Sequence, residues 1–326
     1  MGSPPPPGLG RIPVLYIGSW GRSGSTLLDL MLGQLPGYVS LGEVRYLFER
    51  GLQERQRCGC GMPVPECPFW RAVLEEAYGA EWSSARWVAT TVARWRRVDG
   101  LALVPRLAAP RQSGAFAREL TAHRGILARL YAAVQKVSGA RVLVDSSKYA
   151  AYGLLLAGAP EIDLRLLHLV RDSRAVAHSW TRRKRMPEVG AEERYMPRKG
   201  AVRSALYWSL ENLALELLHR SAPAAYLLRY EDLTADPARA LATAIGALAL
   251  RAPGGGFPGA RLILGENHTV AGNPVRFSRG EIAVHPDTDW RTALAPTSRR
   301  VVTLLTWPLL ARYGFRRGHR NAATGV

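Results

Sequence analysis

The sequence predicts an α/β fold of three layers, with a mostly parallel central sheet, helices on both faces and an inserted helical region. Three observations predict it. An apolar run followed by a helical pattern recurs four times along the chain, the first run ended by glycine; buried parallel strands read as such continuous runs, and strands alternating with helices build parallel sheets. The first repeat is joined by a turn of small residues. A long section without strand character separates the first repeat from the second. With 326 residues and 47% hydrophobic content the chain can bury a large core, and we read residues 1–326 as a single domain.

The first element is "RIPVLYIG", a strand, and "STLLDLMLGQL" after it has helical spacing. Roughly residues 50–138 then carry cysteines and amphipathic stretches rich in arginine and tryptophan, too many residues for a plain crossover. They predict a helical insertion over one edge of the site, suited to recognising an acceptor. "RVLVD" with "AAYGLLLAGAP" is the second repeat, "LRLLHLVRD" with "SRAVAHSWTRRKR" the third, and "AYLLRYEDL" with "PARALATAIGALAL" the fourth. In the last, Asp236 is placed to cap the helix that Pro237 opens. A glycine-rich stretch with four arginines, residues 251–281, precedes the final helix and reads as flexible. Residues 1–10, "MGSPPPPGLG", read as a disordered proline-rich lead-in rather than a secretory signal, and "VVTLLTWPLL" is too short to cross a bilayer. The expected setting is the cytoplasm, without a membrane span.

Charge narrows the ligand. Basic residues number 44 against 26 acidic ones, a net +18, and most of the basic residues are arginine. Arginine's planar, permanent charge suits phosphate and sulfate, so the excess points to an anionic ligand, a nucleic acid or an acidic surface, although compositional bias contributes to it. Cys58, Cys60 and Cys67 all fall in "RCGCGMPVPECPFW". They read as structural thiols first, with a zinc site lacking a fourth ligand, or a disulfide with one thiol over, as alternatives.

The loop "YIGSWGRSGSTLLDLML" has the outline of a phosphate-binding turn, yet it is not a Walker A loop. Aligning Gly24 with that motif's second glycine puts Ser19 at the first glycine and Ser25 at the lysine. What remains is backbone N–H groups feeding a helix N-terminus beside Arg22, which suits a doubly charged anion. A second anion site is suggested where Arg171 ends a strand and Ser179 lies on the next helix, since open α/β sheets bind ligands at their carboxyl ends. Asp172 is the competing partner for Arg171, and Arg183 is a weaker candidate for the same anion. Two anion sites on strand ends imply a bisphosphorylated nucleotide.

Here the chain resembles sulfotransferases that use 3′-phosphoadenosine 5′-phosphosulfate (PAPS). "GRSGSTLL" looks like their 5′-phosphosulfate loop, which implies donor contacts from Arg22, Ser23, Gly24, Ser25 and Thr26. "LVRDSRAVAHSW" is similar to their 3′-phosphate motif, which implies Arg171 and Ser179; Ser173 stands where the family usually has proline or glycine. "RYEDL" implies that Tyr230 lies near the adenine, a position that also suits a core tyrosine, and "GNPVRFSRGE" resembles a late loop closing over the donor, nominating Arg276 with Arg279 as the competing choice. "SLGEVRYLFER" resembles the Gly-Glu-x-Arg segment of the carbohydrate and tyrosyl-protein branch, which implies Glu43 as catalytic base and Arg45 on the acceptor side. Lys148 in "VLVDSSKYA" matches a catalytic lysine of the tyrosyl-protein branch, and Asp145 before it reads as capping the turn.

The resemblance therefore implies sulfuryl transfer from PAPS to a hydroxyl of a small molecule or carbohydrate, with no metal required. The alternatives are a P-loop-type nucleotide kinase or NTPase, against which the missing lysine counts, and an arginine-rich nucleic-acid-binding protein. No helix-turn-helix, zinc-finger or ribonucleoprotein signature supports the latter, so no nucleic-acid partner is expected.

Overall fold

Strand β1 (Ile12–Gly18) forms the middle of the molecule because every second side chain serves a different layer. Val14 and Tyr16 join one apolar cluster, while Leu15 and Ile17 join another on the opposite face. The computed structural model describes residues 10–183, 185–186, 194–252 and 254–315. Nearly all of the predicted lead-in, residues 1–9, lies outside them.

The central sheet has five parallel strands in the order β2 (Tyr38–Ser40), β3 (Val142–Lys148), β1, β4 (Ile162–Val170) and β7 (Ala224–Arg229). Two short pairs lie outside it, β5 (Arg185–Met186) with β6 (Arg194–Tyr195) and β8 (Arg261–Leu264) with β9 (Gly280–Ala283). The four strands expected from the apolar runs are present. The fifth, β2, is only three residues long and carries no periodic signal. The chain runs outward from β1 to β2, returns to β3, then crosses to β4 and β7 on the other side. Strand order thus reverses around β1, which opens a crevice at the carboxyl ends.

On one face, α1 (Ser25–Leu32) and α10 (Pro237–Ala247) pack their leucines against Leu15, Ile17 and Leu167. Asp236 caps α10 as expected, its carboxylate accepting from the Arg239 N–H at 3.1 Å. On the other face lie α5 (Gly114–Ser138), α6 (Ala150–Ala157) and α8 (Ala201–His219), with Tyr131, Leu155 and Leu215 in the core. Helix α5 packs on β1, β3 and α6 and ends at Gly139, whose left-handed backbone turns the chain into β3. It therefore serves as the crossover layer of the sheet. Of the earlier elements, α2 (Pro68–Tyr78) and α3 (Ala85–Val98) pack on α5, and α4 (Val104–Leu107) packs on α6.

Helix α7 (Ser173–Thr181) follows β4, and α9 (Tyr230–Ala235) follows β7. Helices α11 (Trp290–Ala293) and α12 (Pro296–Arg312) close the described chain, α12 packing on α7 and α8. Helix α7 stops at Thr181, so Arg183 is not on it; its guanidinium lies 3.6 Å from the Tyr195 ring centre. Among the described residues no helix is long and apolar enough to cross a membrane.

Candidate active site

The turn between β1 and α1 is held open by backbone that few residues tolerate. Gly24 has φ +92°, and a Cβ there would sit 2.4 Å from the Tyr230 ring. Only glycine fits. Arg22 is also left-handed, at φ +73°, an unusual state for a side chain of its size. Its guanidinium stacks 5.0 Å from the centre of the Trp180 ring, and all three of its nitrogens are buried without an acceptor. Burial lowers its pKa, as expected for a cation removed from water with nothing to pair it. The hydroxyls of Ser19 and Ser23 are buried and unpartnered as well, and α1 starts with no side-chain cap. This combination of unpartnered donors and positive charge can hold an anion.

Arg171 leaves the end of β4 toward the same turn. Its guanidinium donates to the Arg22 carbonyl at 3.0 Å and to the Asp287 carboxylate at 2.7 Å, and it lies 4.5 Å from the centre of the Tyr230 ring. Its Nε is buried without a partner. Asp172, the competing partner in the sequence, is taken instead by the Arg174 side chain and caps α7 by accepting from the Arg174 N–H at 2.8 Å. Burial opposes ionisation of Asp287, but the charge of Arg171 outweighs it and leaves the Asp287 pKa below the ordinary carboxylate value.

Glu43 and Lys148 form a third group. The Glu43 N–H donates to the Val270 carbonyl at 2.7 Å, fixing the turn that follows β2. Lys148 ends β3 with φ +77°, and its ammonium donates to the Glu43 carboxylate; the two side chains are 11% and 7% exposed. Asp145 shapes this strand end. It accepts from the Ser147 N–H at 2.7 Å and from the Ser147 hydroxyl at 2.5 Å, and the Tyr131 hydroxyl also donates to it. Complete burial moves its pKa up to about 6.

These groups line one cavity of about 430 Å³, bordered by Arg22, Gly24, Ser25, Thr26, Glu43, Lys148, Arg171, Ser179 and Tyr230. The sequence did not single out Trp180, Lys199 or Asp287, which line it too. Trp180 is adjacent to Ser179, which was the available signal, whereas Lys199 arrives from a distant segment, its ammonium 4.6 Å from the Trp180 ring centre. Among the described lining residues six are cationic (Arg22, Arg50, Lys148, Arg171, Arg182 and Lys199) and two are acidic, Glu43 and Asp287. The excess of cations gives the lining a positive field, which suits an anionic ligand.

Three expected site residues lie behind its wall. Ser23 is buried beneath the turn. Arg45 does not itself border the cavity: it pairs with Asp99 at 2.6 Å, which neutralises it inside the protein, and stacks 4.4 Å from the ring centre of Tyr149, a lining residue. Arg276 is fully buried, donating to the Thr269 carbonyl at 2.8 Å and the Arg57 carbonyl at 2.7 Å, so it does not border the cavity. Arg279, the competing choice, donates to the carbonyls of Gly59 and, at 3.0 Å, Ser278. The late loop does reach the cavity, through Gly272, Asn273 and Val275, and the Asn273 N–H donates to the Thr26 hydroxyl at 3.3 Å.

Residues 13–253 match the profile of the sulfotransferase family. Among solved structures, the chain is similar to the sulfotransferase domain from the Synechococcus PCC 7002 olefin synthase, with 21% identity over 96% of this chain and 98% of that one and a TM-score of 0.52. It is also similar to the sulfotransferase domain from the curacin biosynthetic pathway, with 17% identity over 91% and 98% of the two chains and a TM-score of 0.46. A search of curated protein sequences finds no match.

Proposed function

The chain belongs to the sulfotransferase family, and from that premise we propose that it transfers the sulfuryl group of PAPS to a hydroxyl of a small-molecule or carbohydrate acceptor. The observation that carries this reading is the Arg22 guanidinium, buried with no acceptor in a cavity where cations outnumber carboxylates. A buried unpaired cation is costly, and a bound anion relieves that cost. The donor fits the residues present: the backbone of residues 22–26 and Arg22 would hold the phosphosulfate end, Arg171 and Ser179 the 3′-phosphate, and Tyr230 the region of the adenine. Bound there, PAPS supplies an electrophilic sulfur and a bisphosphate leaving group.

The chain's own residues supply the rest. Glu43 takes the proton of the acceptor hydroxyl onto a carboxylate oxygen. Lys148, hydrogen-bonded to Glu43, and Arg22 bring positive charge to the place where negative charge grows. Asp145 and Ser147 fix the turn that aims Lys148, which limits reorganisation during the reaction. Assignment of Glu43 as base aligns the chain with the carbohydrate and tyrosyl-protein branch. We place the enzyme in the cytoplasm, a setting in keeping with its three free thiols.

A thermal-shift titration with adenosine 3′,5′-bisphosphate tests donor binding, and an acceptor screen that detects sulfate transfer from PAPS tests the reaction. Stabilisation by the bisphosphate and PAPS-dependent sulfation are expected. Stabilisation by ATP with magnesium, with none from the bisphosphate, would return the kinase reading.

A further inference from the structure

The cysteine turn acquires in space the partner it lacks in sequence. Cys58 and Cys67 are buried and Cys60 half-buried, and all three thiols are free. The turn is tight: the Gly61 N–H donates to the Cys58 carbonyl at 2.8 Å, and the Cys58 N–H to the Met62 carbonyl at 2.7 Å. The Gly59 N–H reaches across to the Thr269 carbonyl at 2.9 Å, and a Cβ at Gly59 would lie 1.9 Å from the Asn267 side-chain oxygen. That close approach sets His268 over the thiols. Its Nδ1 is 3.3 Å from the Cys67 sulfur and 3.8 Å from the Cys58 sulfur. The four ligand atoms of Cys58, Cys60, Cys67 and His268 all lie within 4.8 Å of one another.

We propose that Cys58, Cys60, Cys67 and His268 bind one zinc ion that staples the cysteine turn to the late loop. A tetrahedron with ordinary zinc–sulfur and zinc–nitrogen bonds has edges of about 3.8 Å between sulfurs and about 3.6 Å from sulfur to nitrogen. The observed spacing needs only small adjustment to meet them. Three thiolates and an imidazole select zinc over oxygen-seeking cations. Binding displaces three thiol protons to solvent, and the ion and its ligands carry a net charge of about −1. With four protein ligands the site is closed, which makes the ion structural and leaves the transfer reaction metal-free.

The surroundings fit a metal-bound imidazole. With Nδ1 facing the sulfurs, Nε2 is left on the side of the Glu266 carboxylate, 3.9 Å away, longer than a direct hydrogen bond. The Trp70 indole N–H donates to the His268 carbonyl at 2.7 Å, and Phe69 stacks on its ring with centres 5.0 Å apart. Arg276 ties the same two segments, bonding the carbonyls of Arg57 and Thr269, the neighbours of Cys58 and His268. Beyond His268, Val270 accepts from the Glu43 N–H, and Gly272 and Asn273 border the cavity. The staple therefore holds the segment that positions Glu43. This last link rests on the proposed function; metal binding itself does not.

The test is elemental analysis of untagged protein purified from zinc-supplemented medium and desalted. About one zinc per chain is expected, released when a mercurial titrates the thiols. His268→Ala should lose the zinc, whereas His268→Cys should keep it as a four-thiolate site, and cobalt reconstitution should give the bands of a tetrahedral thiolate complex. Removing zinc should lower Tm by roughly 5 °C or more. Wild-type protein holding less than about 0.2 zinc per chain, with three thiols that react freely or a disulfide found by mass, would overturn the proposal.

Discussion

Arg22 and Arg171 border the same cavity within hydrogen-bonding reach of one another's residue, yet they are kept in opposite states. Arg22 stands on strained left-handed backbone with no acceptor for its guanidinium. Arg171 sits on a regular strand end and is paired with Asp287 at 2.7 Å. On the proposed function, the first cradle takes an anion that arrives from outside, and the cost of burying Arg22 unpaired is relieved on binding. The second carries its own competitor, so an incoming phosphate must displace or share a carboxylate. Binding energy should accordingly come chiefly from the Arg22 side, while discrimination between nucleotides comes from the Arg171 side.

The largest expected effect separates both cradles from the chemistry. Glu43→Gln should lower kcat by about 10²- to 10⁴-fold, the usual contribution of a general base, and leave adenosine 3′,5′-bisphosphate affinity within about twofold. Undiminished turnover removes Glu43 from that role. Next come the two arginines, read by thermal unfolding without ligand. Arg22→Ala should raise Tm or leave it unchanged, because it deletes an unpaired buried cation, whereas Arg171→Ala should lower Tm by a few degrees, on the order of 1–2 kcal/mol. Equal losses from both would erase the contrast drawn above. Asp287→Asn, which frees Arg171, should tighten bisphosphate binding by about 3- to 10-fold, and weaker binding would mean that Asp287 orients Arg171 instead of competing for it.

A smaller effect is set by pH. Burial pushes Glu211 and Glu231 up to about 7, and the Glu231 carboxylate accepts from the Asp172 N–H at 3.1 Å, on the Arg171 side. Between their unfolded values and about pH 7 the folded protein holds more protons than the unfolded one, so stability rises as pH falls from about 8 to about 6.5. Buried His123 and His168, lowered to about 4 and about 3 by desolvation, oppose the two glutamates below about pH 6.5, because they take up protons on unfolding there. Tm should rise as pH falls from about 8 to about 6.5 and level off below, and Glu231→Gln should reduce that rise.

What the sequence disclosed follows the range of each interaction. Apolar runs and the glycine turn are local, so β1, β3, β4 and β7 were legible, as was the Asp236 cap. Arg171 and Ser179 lie eight positions apart, one at a strand end and the other on the helix that follows, close enough for their common cavity to be read from the sequence. Longer reaches failed. Arg45 is neutralised by Asp99, 54 positions away, and Arg276 bonds a carbonyl 219 positions away. Neither partner is visible from local pattern, and both arginines therefore looked available for a ligand. The histidine that joins the cysteines lies 201 positions beyond Cys67, which is why the cluster read as short of a ligand. Strand β2 was missed for another reason: three residues cannot display a period.

The central claim is that one cavity holds the two phosphorylated ends of a single nucleotide at two different arginines. Calorimetric titration of wild type, Arg22→Ala and Arg171→Ala with adenosine 3′,5′-bisphosphate, adenosine 5′-monophosphate and adenosine 3′-monophosphate tests it most directly. The account predicts that Arg171→Ala weakens the two 3′-phosphorylated ligands by about 10- to 100-fold while sparing the 5′-monophosphate, and that Arg22→Ala weakens the two 5′-phosphorylated ligands while sparing the 3′-monophosphate. Equal weakening of all three ligands by both substitutions would contradict it.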